Sequence, residues 1–132
     1  MNRKNLAPRS LFKAESFGFS QGVLVEEGKK QLFISGQLAA DMDGNFLSKA
    51  DFKEQCRKAF EGIDAVLKEA GATRHNIVKI TAFVTELQRN LETFVELSKE
   101  FFQGDFSAST LIEVKGLAFL DQLVEIEAIA IM

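Results

Sequence analysis

Tryptophan and tyrosine are absent from this 132-residue sequence, and proline, cysteine and histidine each occur once. Because Cys56 is the only cysteine, a disulfide framework within the chain and a paired-cysteine metal site are both excluded. The lone histidine, His75, has no metal-ligand spacing around it, so we expect a surface side chain and no metal. No glycine-rich phosphate loop occurs, and no cofactor is expected.

Long apolar runs are also missing. No segment approaches the roughly 18 residues that span a bilayer, and no secretory signal precedes the first predicted strand. We therefore expect a cytoplasmic protein without a membrane partner.

An excess of basic charge is missing as well, because 19 acidic residues outnumber 16 basic ones and the net charge is −3. Nucleic-acid binders draw affinity from Lys and Arg side chains that neutralise phosphates, so a nucleic-acid partner is not expected. A local exception at the amino terminus consists of Arg3, Lys4, Arg9 and Lys13. We interpret residues 1–15 as an N-terminal arm whose charges are solvated.

Phenylalanine, by contrast, is abundant. Thirteen Phe side chains supply apolar bulk without a phenol or indole donor, so we expect the core and any pocket to be drier than average. The chain is 46% hydrophobic and 27% charged, which is ordinary for a globular protein, and no repeat or linker divides it. We predict a single domain over residues 1–132.

Two amphipathic helices are predicted from apolar residues that recur every three or four positions. The first runs from Asp51 to about Ala70. Asp51 or Ser48 can cap its amino end, and Gly71 suits the position after its last turn. The second helix spans roughly residues 87–102.

Alternating apolar positions predict five strands. They cover residues 17–26, 31–37, 77–85, 107–114 and 123–132. We expect the first two to form a hairpin across residues 27–30, and the last to tie the chain end into the sheet. If the last two strands pair as neighbours, Glu113 approaches Glu125 or Glu127.

The order of these elements predicts an α+β sandwich, in which one mixed β-sheet is covered on one face by two α-helices. The other sheet face is then left uncovered. Ile129 and Ile131 lie on that face, and large exposed apolar patches usually mark association. A closed cyclic oligomer would cover it.

The closing segment V-E-I-E-A-I-A resembles the reactive-intermediate deaminase family, also called the RidA/YjgF or L-PSP family. Five further segments support the resemblance in the expected order: G-F-S-Q-G-V (18–23), F-I-S-G-Q (33–37), V-K-I-T-A-F-V (78–84), E-F-F (100–102) and T-L-I-E-V (110–114). The match covers roughly residues 16–132. It implies a homotrimer with a chorismate-mutase-like fold and a ligand cleft at each subunit boundary.

The resemblance also implies a pocket that the family's deaminases build around an arginine, whose guanidinium clamps the substrate carboxylate. Ser109 stands at the arginine position here and supplies neither a charge nor a fork. Phe19 stands for a tyrosine, Val95 for a polar helix residue and Leu111 for a cysteine. The sequence therefore predicts a substrate pocket that is more apolar than in the deaminases.

Other pocket positions of the family are retained. Ser35 and Gly36 match a substrate-binding segment, and Glu125 aligns with the carboxylate that orients or activates water, which makes it the candidate catalytic residue. The hydroxyl of Thr110 can also donate to a substrate. A purely structural alternative for Glu125 is an ion pair with Lys79, since the two positions can share a sheet face.

We therefore predict a RidA/YjgF-family homotrimer whose inter-subunit clefts bind a small metabolite, without classical enamine/imine deaminase activity. The first alternative is a 2-iminobutanoate/2-iminopropanoate-type deaminase, a hydrolase that uses another cation, Lys79 or Lys115 of a neighbouring subunit. An RNA-binding or endoribonuclease-like translation inhibitor is a further class, which the acidic charge balance disfavours. A structural trimer with a vestigial cleft is the last alternative.

Overall fold

The computed structural model describes residues 2–47 and 51–132. Within these residues, six strands and two α-helices follow one another as β1 (Asn2–Leu6), β2 (Gly22–Glu26), β3 (Gln31–Gln37), α1 (Phe52–Glu69), β4 (Ile77–Val84), α2 (Leu87–Phe102), β5 (Ala108–Glu113) and β6 (Val124–Ile131). Two short 3-10 helices lie at Ala14–Phe17 and Arg74–Asn76. Among the described residues, no helix is long and apolar enough to cross a membrane.

Both helices occupy the segments that their periodicity predicts. The carboxylate of Asp51 caps α1 by accepting a hydrogen bond from the backbone N–H of Glu54 at 3.1 Å. The alternative cap, Ser48, lies outside the described residues. The apolar stripe of α1 is buried against the sheet; its buried apolar members are Phe52, Cys56, Ala59, Phe60, Ile63 and Leu67.

The main sheet has four strands in the order β3-β6-β4-β5. β4 and β5 run parallel and are joined through α2, whereas β6 is antiparallel to both β3 and β4. One face of this mixed sheet packs on α1 and α2 through a core that includes Ile80, Ala82, Ile126 and Ala128. The predicted α+β sandwich, with two helices on one face of a mixed sheet, is confirmed.

The last two strands are not neighbours, because β4 lies between β5 and β6. The parallel return through α2 places β5 at the outer edge of β4. Glu113 therefore lies two strands away from β6, and its carboxylate accepts from the backbone N–H of Leu87 at 2.9 Å, where α2 begins. The expected approach of Glu113 to Glu125 or Glu127 was wrong.

The predicted hairpin of the second and third strands was also wrong. β2 starts at Gly22 rather than at residue 17, and it pairs with β1 in a separate two-stranded sheet. The backbone N–H groups of Lys29 and Lys30 donate to the carbonyl of Met132, so the end of the chain takes the place beside residues 29–30. β3 finds its partner in β6 instead.

The amino-terminal residues form a strand rather than the solvated tail that their charges suggest. The side chain of Arg3 is 4% exposed and donates to the backbone carbonyls of His75, Asp105 and Phe106. Its guanidinium also lies 3.5 Å from the carboxylate of Asp105. Arg3 therefore fastens β1 to the loop that leads into β5.

The sheet face opposite the helices carries exposed apolar side chains. Phe33 is 69% exposed and Ile112 is 38% exposed, while Ile129 and Ile131 are half-buried. The prediction of an uncovered and partly apolar sheet face is confirmed for a single chain.

Candidate functional site

A cavity of about 290 Å³ opens between the segment of residues 12–19, helix α2 and strand β5. We refer to it as the phenylalanine cavity, because four phenylalanines contribute to its wall. The lining residues are Phe12, Phe17, Gly18, Phe19, Leu91, Phe94, Val95, Ser98, Ser109 and Leu111. Phe94 and Ser98 are buried, whereas the rings of Phe12 and Phe17 are exposed.

Regular helical and strand geometry explains which side chains line the cavity. Leu91, Phe94, Val95 and Ser98 are spaced by three or four residues and therefore share one face of α2. Ser109 and Leu111 are two residues apart on β5 and share one face of that strand. Thr110 lies on the opposite face, outside the cavity, where the Nζ of Lys79 donates to its hydroxyl.

The segment of residues 12–19 is held against the cavity by a turn that requires glycine. The 3-10 helix Ala14–Phe17 ends at Gly18, whose φ of 82° lies in the left-handed region. A Cβ at this position would also lie 3.0 Å from the Cγ of Lys99 on α2. A side chain at residue 18 would therefore strain the turn and displace the side chain of Lys99.

The lining is neutral and has few polar groups. Among its described residues it contains no charged side chain, and Ser98 and Ser109 are the only ones that bear a hydroxyl. The hydroxyl of Ser98 donates to the carbonyl of Gly18 at 3.4 Å. Within the described residues no hydrogen bond is formed by the side chain of Ser109, so this hydroxyl is available to a ligand.

A second group consists of Ser35, Gly36 and Glu125. These residues lie on strands β3 and β6, away from the cavity beside β5. Ser35 and Gly36 lie in a β-bulge between Ile34 and Gln37. The carboxylate of Glu125 lies directly over Gly36, since a Cβ on that glycine would be only 1.9 Å from Oε1 of Glu125. A side chain at residue 36 would therefore displace the carboxylate of Glu125 from this position.

The buried side chain of Gln122 orients Glu125. Its amide nitrogen donates to Oε2 of Glu125 and to the carbonyl of Val124, both at 3.3 Å. Within the described residues Glu125 forms no ion pair, and Lys79 contacts Thr110 instead. The alternative of an ion pair between Glu125 and Lys79 is therefore not realised in one chain.

In a single chain the predicted site residues other than Thr110 thus fall into two separate groups. Phe19, Val95, Ser109 and Leu111 line the phenylalanine cavity, whereas Ser35, Gly36 and Glu125 do not. Sequence reasoning missed the other lining residues Phe12, Phe17, Gly18, Leu91, Phe94 and Ser98. The helical spacing of the α2 residues was available as a signal, but it does not distinguish a cavity wall from the core.

Among the described residues, no three His, Cys, Asp or Glu side chains are grouped to hold a metal ion. The chemical groups of the site are therefore hydroxyls, backbone groups and one carboxylate. Such a set can bind a ligand, and Glu125 can accept a proton from water where a substrate is held beside it.

Comparisons with known proteins place this geometry in context. The family model described as Endoribonuclease L-PSP matches residues 13–132. A human 2-iminobutanoate/2-iminopropanoate deaminase is 31% identical over 113 residues, which cover 86% of this chain and 79% of that protein.

Solved structures share the fold as well. A Rid-family protein of unknown function from Yersinia pestis superposes with a TM-score of 0.93 at 30% identity, covering 100% of both chains. The TdcF protein of E. coli, solved with bound serine, has a TM-score of 0.69 at 29% identity and covers 86% of this chain and 87% of its own.

Proposed function

The chain belongs to the endoribonuclease L-PSP family, also called the RidA/YjgF family, and on that basis we propose that it binds a small metabolite without arginine-dependent deamination. The binding sites are the inter-subunit clefts of a homotrimer. The observation that carries the proposal is the neutral lining of the phenylalanine cavity, with Ser109 at the position where a carboxylate-clamping arginine is expected.

A substrate carboxylate has no charged partner in this lining. Transferring a carboxylate from water into an apolar site costs free energy unless a cation or several donors replace its hydration. The hydroxyl of Ser109 can offer one neutral hydrogen bond, which is weaker than a bidentate contact with arginine. The cavity therefore favours ligands that do not depend on a carboxylate.

Two features support the trimer. The exposed apolar side chains of the open sheet face, Phe33 and Ile112 among them, are of the kind that a closed cyclic assembly buries. In addition, the family's pocket positions lie on two surfaces of one chain. A neighbouring subunit would bring its Ser35, Gly36 and Glu125 to the cavity lined by Ser109, and the site would then be complete.

In such a cleft Glu125 would be the group that orients or activates water. Its carboxylate is already held by Gln122 and by the close approach to Gly36. The proposed cleft therefore retains the family's carboxylate as Glu125, whereas Ser109 stands in place of the family's arginine.

The enamine/imine deaminase is the second candidate, and the human relative's printed name favours it. It would require a cation from a neighbouring subunit, Lys79 or Lys115. Lys79 lies on the open sheet face, where it already contacts Thr110, and it is therefore poorly placed to serve the cavity of its own chain.

The test is a coupled assay in which a pyridoxal-phosphate lyase generates 2-iminobutanoate or 2-aminoacrylate and the release of keto acid is followed. We expect wild type to leave the spontaneous rate unchanged and Ser109→Arg to accelerate it. Thr110→Arg is the matched control, because it adds the same charge on the opposite face of β5. Light scattering after gel filtration should give three times the mass of one chain.

Two results would contradict the proposal. Acceleration by wild type that disappears in Glu125→Gln would establish the deaminase in its place. A monomer at micromolar concentration would remove the inter-subunit cleft.

A further inference from the structure

The rings around the phenylalanine cavity are arranged edge to face. The centroids of Phe12 and Phe17 are 5.7 Å apart with an interplanar angle of 85°, and those of Phe12 and Phe19 are 6.0 Å apart at 71°. Phe12 is 61% and Phe17 is 54% exposed, so large parts of both rings are not covered by the chain itself. Aromatic rings prefer further aromatic partners in such offset or perpendicular geometries.

The polarity of the cavity restricts the charge of its ligand. Among the described residues of one chain, the lining holds no cation to meet an anion. The proposed trimer would add only a carboxylate, Glu125 of the neighbouring subunit, which repels an anion. An anionic ligand would therefore lose hydration without an ionic partner. The free hydroxyl of Ser109 suits a single neutral hydrogen-bonding group.

The size of the cavity restricts the ligand further. A dry protein cavity of roughly 150 Å³ accepts benzene. At about 290 Å³, the phenylalanine cavity has room for two fused rings or for one ring with a short substituent. Pockets that bind drug-sized molecules have volumes of roughly 300 Å³ or more. The ligand of this cavity should therefore be smaller than a typical drug molecule.

We propose that the phenylalanine cavity binds a flat aromatic molecule that carries one hydrogen-bonding group and no negative charge. Its ring packs against Phe12 and Phe17, and its polar group meets the hydroxyl of Ser109. The inference rests on the proposed function in one respect, since both place the ligand in this cavity, and it adds the chemical class of that ligand.

Indole is a suitable probe, because the protein contains no tryptophan and no tyrosine. Fluorescence excited in the indole band therefore reports the ligand alone. Indole-3-acetate carries the same ring with a negative charge. We expect saturable binding of indole with a blue shift, and roughly tenfold weaker binding of indole-3-acetate.

Variants locate the binding site. Phe12→Ala should weaken indole binding by roughly fivefold to tenfold, because it removes one ring contact. Leu11→Ala is the matched control, since Leu11 is the adjacent exposed apolar residue and does not line the cavity. Val95→Phe should weaken binding by narrowing the cavity, and thermal unfolding of each variant shows that it is folded.

Several results would overturn the inference: no saturation by indole up to its solubility limit, equal affinity for indole-3-acetate, or equal effects of Phe12→Ala and Leu11→Ala. The proposed function fails by a different readout, the hydrolysis of imines by wild type. A protein that binds indole and also hydrolyses imines would retain the inference and lose the proposed function. A protein that does neither would lose the inference alone.

Discussion

Replacing Arg3 by alanine should release β1 from the rest of the molecule. The guanidinium of Arg3 donates to the carbonyl of Phe106 at 3.0 Å and to that of His75, and it has two contacts with Asp105 at 3.4 and 3.5 Å. These contacts reach 72 to 103 residues along the chain. The perturbation therefore removes a tertiary connection and leaves the pairing of β1 with β2 in place.

The size of the effect follows from the partners that remain. A hydrogen bond from a charged donor contributes roughly 1.5–3 kcal/mol. The carbonyl of Phe106 keeps a second donor in Arg3→Ala, the hydroxyl of Ser20 at 2.6 Å, and the carboxylate of Asp105 is one-third exposed and partly screened. The carbonyl of Phe106 therefore still has a hydrogen-bond donor. We expect Arg3→Ala to lower the free energy of opening of β1 by about 2 kcal/mol.

Native-state hydrogen exchange measures this loss where it occurs. A loss of about 2 kcal/mol corresponds to roughly thirtyfold faster exchange of amides that open with β1. The amides of β1 and β2 should show it, while those of the central strands β4 and β6 should not. Arg3→Lys should be intermediate, because lysine keeps the charge but lacks the planar fork.

Lys4→Ala is the control, since Lys4 is the next residue of the same strand and is exposed. If Arg3→Ala and Lys4→Ala exchanged at the same rates in β1 and β2, the fastening role of Arg3 would be refuted. Equal acceleration in β4 and β6 would also refute the reasoning, because it would show global rather than local opening.

Two further predictions concern single ionisable groups. Burial raises the pKa of the fully buried Cys56 thiol to about 12, so iodoacetamide at pH 8 should modify it only after unfolding; rapid alkylation of the native protein would contradict this. Hydrogen bonds, first from the backbone N–H of Asn45 and then from its side chain, lower the pKa of Asp41 below its ordinary value of 3.8. The stabilisation from Asp41 is therefore present above pH 3.8 and is lost as the pH falls through the lower pKa of the folded protein. An NMR titration that places the pKa of Asp41 at or above 3.8 would contradict this.

The helices could be read from the sequence because their signals are local. Apolar spacing of three or four residues placed α2 at Leu87–Phe102, and the cap at Asp51 placed the start of α1. Strand positions were also local, as β3 at Gln31–Gln37 shows. Such patterns carry no information on which strand is the partner.

Strand partners depend on distant parts of the chain. β2 pairs with β1, whose charged composition hides its alternation, and β6 enters the sheet between β3 and β4. The contacts of Arg3 with Asp105 and Phe106 depend on both arrangements, which explains why its burial was not predicted.

The candidate site was predictable only in part for a related reason. The family resemblance pointed to Phe19, Val95, Ser109 and Leu111, and the structure brings these four together. Phe12 belongs to a segment without helical or strand periodicity, and Phe17 was predicted as the first residue of a strand, so no pattern marked either as a cavity residue. Phe94 was indistinguishable from a core residue, because a cavity wall and a core obey the same spacing.

The segment of residues 12–19 has a consequence for how ligand choice can diverge among relatives of this protein. It supplies four of the ten residues around the phenylalanine cavity, yet none of these four belongs to the hydrophobic core between the sheet and the helices. Substitutions at Phe12 or Phe17 therefore change the cavity without creating voids in the core. Substitutions in this short segment can therefore change ligand preference during evolution, while the core residues that determine stability stay the same.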